Sequence, residues 1–167
     1  MAIAPDFVEP RVGWRVWSVV EHEGTFRLAS LLYHALWLPG EELEAVCRRP
    51  LAALPWSRMP LHGPPNIDCC CGIYALATAG EAEPYLRYGL DPRVPAVHRV
   101  IGQVVLWGRV VEGELGWRAA AGYPKRLYVP RCRSGIRRRL RQPRASVEQI
   151  ADALGAYEVP VELADAG

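Results

Sequence analysis

Three consecutive cysteines, Cys69, Cys70 and Cys71, stand directly before the apolar run Gly72-Ile73-Tyr74-Ala75-Leu76. They are the residues of this chain best equipped for chemistry. Neighbouring side chains cannot all enter one apolar pocket, so packing alone does not account for the run. With two upstream residues they supply four soft or borderline ligands, Cys47, His62, Cys69 and Cys71, suited to one tetrahedral zinc ion. In an extended segment Cys69 and Cys71 turn to the same side while Cys70 faces away. A bound ion would fix a loop that is otherwise hard to hold.

The same residues support a different chemistry. Gly72 to Ala79 reads as a short helix, and a thiol at its start would have a lowered pKa. Cys71 is then a candidate nucleophile, with His62 or His98 as its base. No third group to orient that histidine stands out. The small size of the chain also leaves little room for a substrate cleft.

A second chemical feature lies downstream. Lys125 to Arg144 holds nine cationic residues and no acidic one. Arg137, Arg138, Arg139 and Arg141, with Arg131, Arg133 and Arg144, could contact phosphates, and Tyr123 or Tyr128 could stack on bases. A solvated surface loop would have the same composition. The chain has six Trp and seven Tyr against two Phe, so its aromatic surface mostly carries a polar tip. Trp107 and Trp117, near Arg109 and Arg118, form a candidate ligand-facing pair. Glu112 falls on the apolar face of its strand and invites pairing with Arg118, because a buried charge needs a partner.

These residues must be placed by a fold. Residues 14 to 20 and 25 to 33 are rich in aromatic and β-branched side chains and flank the polar turn Glu21-His22-Glu23-Gly24, a hairpin signal. A short strand follows through Ala35 to Trp37, and Glu41 to Arg48 is compatible with strand or helical turn. Five prolines between Pro50 and Asp68 exclude regular structure there. Glu81 to Tyr88 reads as a second helical piece.

The clearest strand, His98 to Glu112, alternates Val100, Gly102, Val104, Leu106, Gly108 and Val110 on one face. Gly108 inside it marks a bulge or bend. Gly113 to Gly116 turns into Trp117 to Ala121, and Leu127 to Val129 is a further short strand. Ser146-Val147-Glu148-Gln149 has the form of a capping box opening a helix to about Leu154, with Gly155 as its C-cap. Tyr157 to Leu163 closes the chain as an edge-like strand. The reading is α+β: a strongly bent antiparallel sheet or small pseudobarrel with two or three short helices. One domain spans 1-167, with a Pro/Cys-rich loop at 48-71 and an Arg-rich segment at 125-144.

The pieces Cys71-Gly72-Ile73-Tyr74-Ala75, Leu106-Trp107-Gly108 with Val110-Val111-Glu112, Gly116-Trp117-Arg118-Ala119 and Tyr123-Pro124 resemble a pattern found in bacterial proteins of uncharacterised function. The order of elements is similar to that of PUA-like pseudobarrels. That resemblance implies binding of RNA or of modified DNA bases.

Bulk composition sets the outer bounds. An apolar share of 50%, a charged share of 23% and a net charge of +2 fit an ordinary globular chain with no global polyanion signature. Leu28 to Leu38 is too short an apolar stretch for a bilayer, which takes about 20 residues. The amino terminus has no secretion-signal pattern. The expectation is a cytoplasmic protein, where clustered thiols are read as ligands or reactive groups before disulfides. Three functions remain open: a non-enzymatic module recognising nucleic acid or a nucleotide, a Cys71-dependent enzyme, and a protein-interaction module.

Overall fold

In the computed structural model the described residues are 9–32, 35–47, 62–87, 96–131 and 145–165. They form one eight-stranded sheet with two short helices. β1 (Arg11–His22) and β2 (Thr25–Ser30) make the expected hairpin. Its two turn residues, Glu23 at φ 50° and Gly24 at φ 76°, supply the positive angles that a tight hairpin needs. β3 (Leu36–Trp37) pairs with β2, and of the described residues 41–47 only β4 (Leu43–Glu44) is strand.

β6 (Ala96–Glu112) is the spine of the sheet, with β1 on one edge and β7 (Gly116–Pro130) on the other. Its alternation holds: Val100, Val104 and Leu106 are fully buried. At Gly108, φ is +73° and the register slips between Trp107 and Val110, so the anticipated bulge is present. β7 is continuous through Pro124 and Leu127, where the sequence suggests two separate strands. β8 (Val161–Ala164) pairs with β7 in parallel, so the sheet is not wholly antiparallel.

The largest departure lies after the cysteines. Residues 73 to 76 are not helical; they form β5 (Ile73–Leu76), hydrogen-bonded to β7 along Gly116–Ala119 and touching β1 at Trp14. A five-residue apolar run does not distinguish strand from helix by itself. Neighbours on both sides decide it here. The helix that follows is only α1 (Ala79–Ala82), capped by Thr78 and continued by a 3-10 turn through Leu86.

β5 links the outer edges of β1 and β7, so β1, β6, β7 and β5 form a ring. The ring does not extend into a closed barrel: β2 and β3 lie on the β1 side and β4 on the β7 side, unpaired with one another. Inside sit Trp17, Leu28, Trp37 and Leu127, with the two indoles edge to face at 5.6 Å. α2 (Val147–Leu154) covers this core with Ile150 and Leu154, and its capping box at Ser146 and Gln149 is formed as expected. Tyr157, in the 3-10 turn after α2, reaches the same core. Its hydroxyl donates to the Trp37 carbonyl at 2.6 Å and accepts from the Leu28 amide at 2.9 Å. Among the described residues no helix is long and apolar enough to cross a membrane.

Candidate metal centre

Cys47 leaves the end of β4, and Cys69 and Cys71 lead into β5. Since β4 and β5 lie end to end along the same edge of β7, the sheet delivers these thiols to one place. His62 joins them. The ligand atoms of Cys47, His62, Cys69 and Cys71 all lie within 4.8 Å of one another, close enough to hold a metal ion. Cys47 Sγ is 3.5 Å from His62 Nε2 and 3.8 Å from Cys69 Sγ, and Cys71 Sγ is 3.9 Å from His62 Nδ1. All four described cysteines are free thiols; only Cys70 is exposed.

The loop carrying the cysteines is organised by its own backbone and by one arginine. Asn66 begins a turn, accepting the Asp68 amide on Oδ1 at 2.9 Å and the Cys69 amide on its carbonyl at 3.1 Å. Arg118, on β7, lays its guanidinium beneath this loop. Its Nη1 donates to the carbonyls of Cys69, of Cys71 at 2.9 Å and of Asn66 at 3.3 Å. The same guanidinium lies over the Tyr74 ring, 5.8 Å from the centroid. Tyr74 in turn donates its hydroxyl to the Cys70 carbonyl at 2.6 Å.

The two flanking thiols are electrically unlike. A hydrogen bond from the Cys71 backbone amide, helped by Cys47, pulls Cys69 down to about 6. Burial, with the neighbouring Cys69 adding to it, pushes Cys71 up to about 11. The lowered Cys71 pKa expected of a helix start is therefore absent, because there is no helix start. His98 is not part of this cluster: it is buried in β6 with Nε2 against the Pro130 carbonyl at 2.9 Å.

The remaining sequence candidates are placed as follows. Arg118 is committed to the cysteine loop and does not pair with Glu112. The register sets Val111 opposite Arg118, so Glu112 falls on the other face, exposed and opposite Trp117. Trp107 donates its indole N–H to Glu42 at 2.9 Å beside a small cleft lined by Tyr123 and Tyr157. Trp117 has its indole nitrogen buried without a partner, so the two tryptophans have separate surroundings. Arg137, Arg138, Arg139 and Arg141 lie outside the described residues. Sequence reasoning missed Asn66 and the buttressing role of Arg118. Only the fold brings residue 118 under residues 66 to 71.

Comparison with protein families, with characterised proteins and with solved structures finds no match for this chain.

Proposed function

We propose that this chain is a small non-enzymatic binding module, stabilised by zinc, that recognises nucleic acid or a nucleotide. The zinc reading is carried by one observation, the mutual spacing of the four ligand atoms. A tetrahedral ion with Zn–S of about 2.3 Å and Zn–N of about 2.0 Å separates sulfur from sulfur by about 3.8 Å, and sulfur from nitrogen by about 3.5 Å. The Cys47–Cys69 and Cys47–His62 Nε2 separations match these values at 3.8 and 3.5 Å, while Cys71, whose 3.9 Å contact is to the other ring nitrogen, lies with the rest inside the 4.8 Å limit. Three thiolates and an imidazole leave no open position for substrate, which is the mark of a structural site. The Cys71 thiol, raised by burial, is a poor nucleophile when free and a ligand when metallated.

The nucleic-acid part is supported by the basic stretch from Lys125 to Arg144. Arg126 is matched by Glu162 at 2.8 Å, and Arg131 by Asp165 at 3.1 Å and Glu148 at 3.6 Å. Phosphate recognition then falls on the arginines beyond Arg131.

Metal analysis of the purified protein, with thiol counting before and after chelation, tests the first part. One zinc per chain is expected, with Cys47, Cys69 and Cys71 protected from iodoacetamide until a chelator is added, while Cys70 is alkylated at once. A metal-free protein with selective alkylation of Cys71 would reverse the reading in favour of an enzyme. Fluorescence anisotropy with single- and double-stranded DNA and RNA tests the second. Replacing Arg137, Arg138 and Arg139 together should reduce the slope of log K against log salt by about 2–3. Unchanged affinity for every probe would overturn it.

A further inference from the structure

Where the sheet fails to close, between the β2–β3 side and the β4–β5 side, a groove of about 940 Å³ opens beside the metal cluster. Four large hydrophobic side chains stand exposed along it: Leu32, Val46, Tyr74 and Tyr85. The groove is within the size range of pockets that take small organic ligands.

The polar groups of the β1–β2 wall point to one kind of ligand. Arg15 reaches from β1 across the gap toward β5. Its Nη1 donates to the Tyr74 carbonyl at 2.5 Å, and its Nη2 to the Ser30 hydroxyl at 3.1 Å. The guanidinium also lies over the Trp37 ring, 5.3 Å from the centroid. No carboxylate among the described residues reaches it, and its Nε is buried with no hydrogen-bond partner. Burial alone, with no neighbouring charge, pulls its pKa down to about 10. A guanidinium has five N–H donors and no acceptor; here two are used, both on neutral oxygens.

Ser30 completes the pattern. Its Oγ accepts from Arg15 and also from the Trp37 indole at 3.0 Å, so both lone pairs are occupied. Its own hydrogen is left to donate, and Ser30 lines the groove. The wall therefore presents a half-buried, unneutralised cation and a hydroxyl donor, with no acceptor left between them. Glu44 and Asp68 also line the groove, but on β4 and the cysteine loop rather than on this wall.

We infer that the groove is the ligand site of this protein and binds a small organic oxyanion, a carboxylate or a phosphate monoester on an aromatic or aliphatic body, with the anion on Arg15 and Ser30. This rests on the binding-module reading and gives it a site distinct from the basic segment. The body of the ligand packs on Leu32, Tyr74 and Tyr85. The anion takes the unused guanidinium hydrogens and the Ser30 O–H, and charge-assisted bonds of this kind are the strong ones.

Two-dimensional proton–nitrogen NMR of the zinc-loaded protein tests this with four probes: phenyl phosphate, benzoate, inorganic phosphate and benzyl alcohol. Saturable shifts of the Ser30, Leu32 and Tyr74 amides are expected with phenyl phosphate, benzoate or both. The two arms separate a phosphate from a carboxylate head. Binding should be at least about tenfold tighter than for benzyl alcohol, which lacks the charge, or for inorganic phosphate, which lacks the body. Arg15→Gln should abolish the shifts.

Should Arg15→Gln disturb the fold, Leu32→Glu adds a negative charge at the lip without touching the Arg15 contacts, and should weaken both anions. No saturable shift with either aromatic anion would overturn the inference. So would equal binding of benzyl alcohol, or unchanged binding by folded Arg15→Gln. Anion binding that persists in a protein found to carry no zinc would sink the zinc reading and leave the groove standing. Zinc without anion binding would do the opposite.

Discussion

Arg118 and Cys71 are neighbours across the sheet: the arginine's Nη1 donates to the cysteine's carbonyl at 2.9 Å while holding the Cys69 and Asn66 carbonyls as well. A strand thus grips the backbone of the loop whose thiols form the candidate metal centre. The side chain touches no ligand atom, yet it fixes where two of the four ligands point.

Removing that grip should loosen the metal without unfolding the sheet. Arg118→Gln is expected to lower zinc affinity about 10–100-fold, the usual effect of losing a residue that orients ligands. Chelator competition measures it. Cobalt substitution provides a second readout, since thiolate-to-cobalt charge transfer should persist while the d–d bands broaden or shift. An unchanged affinity would mean the loop is held by the ion alone.

Metal binding should release protons. Near neutral pH the free protein keeps a proton on Cys71, raised to about 11, whereas Cys69, lowered to about 6, is mostly thiolate. Zinc must displace the Cys71 proton, so apparent affinity should rise with pH between about pH 6 and pH 8, by up to about tenfold per unit for each proton released. Below about pH 6 protonation of Cys69 should steepen the dependence. A flat profile would show that Cys71 is not a ligand.

Tyr157 ties the C-terminal half of the core to the first hairpin. Tyr157→Phe keeps the ring but strands the Leu28 amide and the Trp37 carbonyl, both buried. The expected loss is about 2–3 kcal/mol, from the unmade bonds and the desolvated groups left behind. Urea unfolding measures it, and an unchanged midpoint would show that the network is dispensable. Burial also pushes the Tyr157 hydroxyl up to about 12. The unfolded chain therefore loses this proton first, and stability should fall as pH rises from about 10 towards 12.

The junction of β1 with β5 depends on a missing side chain. A Cβ on Gly13 would lie 2.7 Å from the Ala75 Cβ and 3.0 Å from the Leu76 carbonyl oxygen. Gly13→Ala should force β5 away from β1 at a cost of about 1–3 kcal/mol, the range for overpacking. Hydrogen exchange should rise at the Trp14–Leu76 junction. Wild-type exchange and stability would show that the ring is not closed there.

Local rules made some of this architecture readable in advance. The hairpin turn at Glu23-Gly24, the alternation of Val100, Val104 and Leu106, the Gly108 bulge and the Ser146–Gln149 capping box all depend on residues within one element. β5 was misread because Ile73-Tyr74-Ala75-Leu76 has no period of its own, and strands 40 residues or more away in sequence impose its conformation. The same reasoning divides the site. Cys47, His62, Cys69 and Cys71 are readable because thiols and imidazoles share one chemistry. Arg15, Ser30 and Arg118 are ordinary residues until the sheet sets them against a groove or a loop.

The Tyr157 hydroxyl bonds a carbonyl 120 positions earlier in the chain. During synthesis the first hairpin therefore emerges long before its anchor exists. Trp17, Leu28 and Trp37 must wait, uncapped, until residue 157 has cleared the ribosome. Pairings this distant in sequence form slowly, since a large loop must close before any contact rewards it. The interval exposes an apolar hairpin, and nascent chains of this protein should be dependent on chaperones until translation has passed α2.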